Sequence, residues 1–95
     1  MQKLSAAELE TMTRDLSGWK VEDGRLVRDW KFADFVTAMA FVNKVAEAAE
    51  KAQHHPDIDI RYNRVRLGLV THDAGGITAK DVAMARSLDR VASGG

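Results

Sequence analysis

Apolar positions along the chain follow two periods, and the places where one gives way to the other mark out its elements. Leu9, Met12 and Leu16 recur at helical spacing behind Ser5-Ala6-Ala7-Glu8, which reads as a capping box with Leu4 and Leu9 placed as a hydrophobic staple. Gly18 can stop that helix, so the pattern predicts it over about 6–16. Trp19-Lys20-Val21-Glu22 then alternates, Asp23-Gly24 is a strong hairpin turn, and a return strand over about 25–32 puts Leu26, Trp30 and Phe32 on one face.

A longer helix follows, capped by Asp34 and running to about 52, where Pro56 would end it. Phe35, Met39, Val42, Ala46 and Ala49 form one stripe, and Phe41, Val45, Ala48 and Ala52 widen it. So broad an apolar face suits either a subunit contact or burial under the chain's own sheet. Ile58 to Tyr62 and Val65 to Thr71 alternate around Asn63-Arg64, predicting a second hairpin. Ile77-Thr78-Ala79-Lys80-Asp81-Val82 repeats the opening capping device, and a last helix is expected over 79–92, with Ala92 to Gly95 as a loose tail. The order α-β-β-α-β-β-α implies an α+β fold, an antiparallel sheet with helices segregated to one face.

Composition narrows the function more than the fold. Ninety-five residues suit one domain, 1–95, and a domain of this size buries only roughly two-thirds of its unfolded surface. Fourteen basic and fourteen acidic residues cancel, which argues against a general affinity for nucleic acid or an anionic membrane surface. With no cysteine there is neither a disulfide nor a thiolate site. No apolar run suggests a signal peptide or a membrane span, so a soluble cytoplasmic protein is expected.

The candidate chemistry lies in three histidines, His54, His55 and His72, all in the second half. With Asn63-Arg64 as a two-residue loop, Ile58 faces Leu69, Ile60 faces Leu67 and Tyr62 faces Val65. The same register sets His72 opposite His55, with His54 next door and Gly68 leaving either room for a flat ligand or a bulge. Clustered imidazoles can give and take protons near neutral pH. They can also hold zinc or iron, although adjacent residues followed by proline rarely aim both rings at one ion, and no helical His-x-x-x-His is present. Spacing alone leaves open acid–base chemistry, a metal site and solvated structural histidines.

A longer pattern surrounds them. Glu50 stands four before His54; His54-His55-Pro56 follows, then Tyr62, His72 and Asp81 at fixed intervals. In this pattern, and in Gly18-Trp19, the Arg28 to Phe35 stretch and Thr78 to Ala85, the chain resembles the pterin-4a-carbinolamine dehydratases over nearly its whole length.

That resemblance implies a four-stranded antiparallel sheet with three helices on one face, assembled as a homodimer or homotetramer. It implies dehydration of 4a-hydroxytetrahydrobiopterin or a related pterin to the quinonoid dihydropterin, regenerating the cofactor of aromatic amino-acid hydroxylases, with no metal and no cofactor. His54 and His72 would then be the proton-transfer pair and His55 would orient the pterin. Glu50, one turn before His54 on the same face, would orient that histidine. Pro56 would fix the His-His geometry, Trp19 would wall the pterin pocket or simply pack in the core, and Asp81 would meet substrate, hold a histidine or only cap its helix. Tyr62 is expected in the core, while Lys80 and Arg86 either reach the pocket or are surface charges. Some relatives act as dimerisation partners of a homeodomain transcription factor, and a molybdopterin-related role is a further alternative.

Overall fold

The computed structural model describes residues 2–94. Its elements are α1 (Ala6–Met12), β1 (Lys20–Glu22), β2 (Arg25–Lys31), α2 (Phe35–Ala52), β3 (Asp57–Arg61), β4 (Arg64–Leu69) and α3 (Ala79–Ala92), with a single 3-10 turn at His72–Ala74. The sheet is antiparallel in the order β1-β2-β4-β3, so the predicted α+β architecture of four strands and three helices is the one formed. Both hairpins are local, and the fold is joined by pairing β2 to β4 in the middle.

One face of the sheet carries Leu26, Val65, Leu67 and Leu69, all nearly or fully buried against α2 and α3. α2 answers with Ala38, Phe41, Val42, Val45 and Ala49, a ridge at the three- and four-residue spacing of one helical face. Of the broad stripe, Phe41, Val42, Val45 and Ala49 are buried within the chain's own fold, Met39 and Ala48 are half-buried, and Phe35, Ala46 and Ala52 stay exposed, as does Val36. Trp19, Trp30, Phe41 and Phe32 form a chain of aromatic contacts with centroids 5.7, 5.0 and 5.1 Å apart.

The opposite face is an ionic lattice. Arg66 bonds both Asp29 and Glu22, at 2.7 Å to the first and 3.2 Å to the second, and Arg25 reaches Asp57 at 3.0 Å. Arg25 gets there by lying across Gly68, where an added Cβ would sit 2.5 Å from its Nη1. Gly68 pairs regularly with Val27 and Asp57, so it is neither a bulge nor an open ligand floor. The missing side chain makes room for a guanidinium.

The helix ends over α2 and α3 fall where the pattern predicts them, while the end of α1 and the second hairpin differ. α1 stops at Met12, not near 16: Thr13 is the C-cap, its φ of −107° and ψ of 7° already off the helix, and its hydroxyl bonds back to Leu9 O. Leu16 still reaches the core, through two successive turns closed by Leu16 N–H to Thr13 O and Trp19 N–H to Leu16 O.

The second hairpin turns on Tyr62-Asn63, so Ile58 pairs with Leu67 and Ile60 with Val65. A two-residue slip keeps every side chain on its face, so apolar matching could not separate the two registers. What selects this one is Asn63, whose carbonyl accepts from Phe32 N–H and whose Nδ2 donates to Phe32 O, prolonging the β2–β4 ladder into the turn. Tyr62 consequently takes a left-handed φ of 55° and lies 67% exposed, not in the core.

At the end of α2, the terminator is Gln53 (φ 51°, ψ 42°), three residues before Pro56. Finally, Ala92 is the last helical residue of α3 and Ser93 bonds back to Asp89 and Arg90 carbonyls, so the expected tail is partly docked; Gly95 lies outside the described residues. Among the described residues no helix is long and apolar enough to cross a membrane.

Candidate functional site

The left-handed residue at the end of α2 sorts the two adjacent histidines. Gln53 N–H bonds Glu50 O and His54 N–H bonds Ala49 O, the paired closure of a Schellman motif. The chain thereby leaves the helix axis sharply. His54 is carried inward to 9% exposure, and His55 folds back over the last helical turn, exposed.

Each imidazole acquires its own carboxylate. His54 Nε2 lies 2.5 Å from Asp81 Oδ1, and His55 Nε2 lies 2.5 Å from Glu50 Oε2. Helical spacing alone assigns Glu50 to His54; the left-handed turn reassigns it to His55.

Asp81 is fully buried at the start of α3. Its Oδ2 accepts from Thr78 N–H and from the Thr71 hydroxyl, both at 2.9 Å. Capping its helix and holding a histidine are thus simultaneous roles, one for each oxygen. A buried carboxylate is tolerable when its lone pairs are met by donors, and here three donors converge on it. An ionised carboxylate only accepts, so the network assigns the His54 proton to Nε2 and leaves Nδ1 as the ring atom free to take one.

His72 opens the 3-10 turn just past β4. That turn is closed by a bridge between Thr71 and Gly76 and by Gly75 N–H bonding His72 O, with Gly75 at φ 75°. Position i+3 of such a tight reversal needs a left-handed residue, which glycine supplies without cost. The His72 ring is exposed and makes no side-chain hydrogen bond among the described residues.

His54, His55 and His72 line one open cleft of about 410 Å³ together with Thr71, Asp73 and Lys80. That volume is adequate for a small heterocycle. The predicted convergence of the three histidines is therefore present, but its cause is different. No cross-strand pair joins His55 to His72; β3–β4 pairing ends at Asp57 and Gly68, and the rings meet beyond the sheet.

Other sequence candidates fall elsewhere. Trp19, Glu50 and Pro56 are not among the lining residues, and Asp81 lies beneath the cleft without opening into it. Trp19 is a core residue whose Nε1 donates to Asp89 at 2.8 Å. Arg86 is tied to Asp15 and Met12 O, whereas Lys80 does reach the rim, its Nζ 3.4 Å from Gln53 O. Sequence reasoning missed Thr71. The only signal was its place directly before His72, which does not reveal a hydroxyl turned towards a residue ten positions on. Among the described residues, no group of three or more His, Cys, Asp or Glu is arranged to hold a metal ion.

Comparison with known proteins gives a consistent result. A family model described as pterin 4 alpha carbinolamine dehydratase matches residues 2–91. An Acidobacterium capsulatum protein named "Putative pterin-4-alpha-carbinolamine dehydratase" is 56% identical over 89 residues, covering 94% of this chain and 97% of its own. A Thermomicrobium roseum protein of the same name is 53% identical over 93 residues, covering 98% and 100%. The crystal structure of a Brucella melitensis protein described as a transcriptional coactivator/pterin dehydratase is similar with a TM-score of 0.88 and 40% identity, over 95% of this chain and 98% of that one.

Proposed function

The chain belongs to the pterin 4 alpha carbinolamine dehydratase family, and we propose that it acts, as one domain, by eliminating water from a 4a-hydroxytetrahydropterin to give the quinonoid dihydropterin. The observation that carries this reading is the gathering of three imidazoles around one cleft, with the buried one braced by a buried carboxylate.

Elimination breaks the C4a–O bond, delivers a proton to the departing hydroxyl and removes one from a ring N–H, so that water alone is lost. His54, with Nδ1 free and Asp81 behind Nε2, suits the base, because the carboxylate stabilises the imidazolium that forms. His72, exposed and unencumbered, suits the acid in its protonated form. His55, held by Glu50 at the rim, suits a hydrogen bond to the pterin ring. The two proton-transfer roles exchange if the opposite C4a stereoisomer is bound. Trp19, bonded to Asp89 inside the core, is assigned packing and not a pocket wall.

The proposed reaction needs neither metal nor cofactor, and its biological setting would be recycling of tetrahydrobiopterin for an aromatic amino-acid hydroxylase in the cytoplasm. Exposed Phe35, Val36, Ile58 and Tyr62 favour a homodimer or homotetramer. A separate protein-binding role is the second reading, favoured by the coactivator description of the Brucella melitensis relative.

The deciding experiment is stopped-flow dehydration of freshly generated 4a-hydroxytetrahydropterin by wild type, His54→Ala and His72→Ala. Fast wild-type turnover that survives EDTA and drops by about a hundredfold or more in each variant is expected. A folded wild type that does not accelerate the reaction would overturn the catalytic reading and put the binding role first.

A further inference from the structure

The hydrogen bonds behind His54 have only one self-consistent direction. Asp81 Oδ2 can only accept, so the Thr71 hydroxyl donates to it at 2.9 Å. Thr71 Oγ1 must then receive its remaining bond from the Thr78 hydroxyl, 2.8 Å away, and Thr78 Oγ1 in turn accepts from Lys80 N–H at 3.2 Å. The direction of every proton runs from the amide end of α3, through two hydroxyls, to the carboxylate that holds the histidine.

Thr71 also shapes the loop that carries the other histidine, through its backbone. Its N–H bonds Gly76 O at 3.0 Å, and its carbonyl accepts from Ala74 N–H at 3.1 Å and Gly76 N–H at 3.4 Å, closing the loop that begins at His72. One half-buried residue therefore closes the loop that carries His72 and, through Asp81, holds the imidazole at the end of α2.

We propose that Thr71 is a positioning residue of the site, setting the rotation of the Asp81 carboxylate and with it the tautomer and aim of His54. This deepens the dehydratase reading and rests on it for its kinetic consequence. Thr71 touches no reacting atom; it acts through Asp81. Without its hydroxyl, Oδ2 keeps only the Thr78 N–H, and Thr78 Oγ1 loses its acceptor. The carboxylate is then free to turn, and a misdirected base lowers turnover more than binding.

The test uses the full chain with Thr71→Val, which keeps the branched shape, and Thr71→Ser, which keeps the hydroxyl. We expect Thr71→Val to lose about tenfold to a hundredfold in kcat with KM little changed, and Thr71→Ser to recover most of the loss. Nitrogen-15 spectra of the histidine rings supply a readout separate from turnover: a slowly exchanging Nε2–H on His54 in wild type and Thr71→Ser, absent in Thr71→Val. A Thr71→Val enzyme with wild-type kcat and an intact Nε2–H signal would overturn the proposal. So would a wild-type His54 protonated at Nδ1, which decides the matter even where Thr71→Val does not fold. Wild-type protein without turnover but with the Nε2–H signal sensitive to Thr71 would refute the dehydratase reading and leave the positioning role standing.

Discussion

Replacing Asp81 by Asn tests the His54 arrangement most sharply, because the change alters one heavy atom and almost no volume. The carboxylate receives three donors: His54 Nε2–H at one oxygen, Thr78 N–H and the Thr71 hydroxyl at the other. An amide offers one oxygen and one NH2. Its oxygen can keep the pair from Thr78 and Thr71, now as neutral bonds; its NH2 must then face His54. Two N–H groups cannot face each other, so His54 is forced to accept at Nε2 and carry its proton on Nδ1, the atom needed as base.

The stability cost can be worked from the same three bonds. Bonds to a charged group are worth about 1.5–3 kcal/mol net and neutral ones about half that. Two weakened bonds and one reorganised one come to about 2–3 kcal/mol, well short of the total for a domain of this length. The thermal midpoint should drop by about 10–15 °C. Turnover should fall about 10²- to 10⁴-fold, the range over which a positioned acid or base contributes. Stopped-flow dehydration at a temperature where both proteins are folded, with urea unfolding alongside, measures both quantities. An Asp81→Asn enzyme within about fivefold of wild-type kcat would refute the tautomer argument; unchanged stability would refute the claim that three donors compensate a buried charge.

Two further outcomes are expected. Tyr62→Asn should leave the free energy of urea unfolding within about 0.5 kcal/mol of wild type, since a left-handed, exposed position loses strain and little packing; a loss above about 2 kcal/mol would restore the register in which Tyr62 packs on Val65. Asp29 is held below the usual carboxylate range by its bonds to Arg66, so its contribution is present above the unfolded value of about 3.9 and vanishes as pH falls through the lower folded one. The difference between wild type and Asp29→Asn should therefore be present at pH 6, within about 1 kcal/mol for so exposed a pair, and shrink towards zero as pH falls below the unfolded value. A gap that widens on acidification would contradict that sign.

What was legible in the sequence was whatever depends on local chemistry. Ser5 and Thr78 head capping boxes, Asp34 caps α2 and Asp23-Gly24 turns the first hairpin where expected, because each device is complete within a few residues. The gathering of three histidines was legible too, since it needs only that a hairpin return the chain. Errors arose where two local solutions share a face or where a distant partner decides. Asn63 fixed the register by bonding Phe32, thirty-one residues earlier, and α1 left the helical path at Thr13 before the apolar period ended. The partner of each imidazole depended on the sign of one backbone angle, at Gln53, a residue type with no strong preference for it. Thr71 escaped notice because its hydroxyl matters only once α3 has docked.

The hydrogen bond from His54 to Asp81 spans 27 positions and encloses the entire β3–β4 hairpin between α2 and α3. In effect it is a noncovalent clasp on a large loop, and closing such a loop has an entropic cost that only a finished tertiary structure can offset. A chain whose sheet has formed but whose third helix is still adrift would hold His55 and Glu50 in place and leave His54 unclasped. Completion of the site therefore waits on the docking of α3, and hydrogen exchange at the Thr78 amide, whose acceptor is Asp81 itself, would time it.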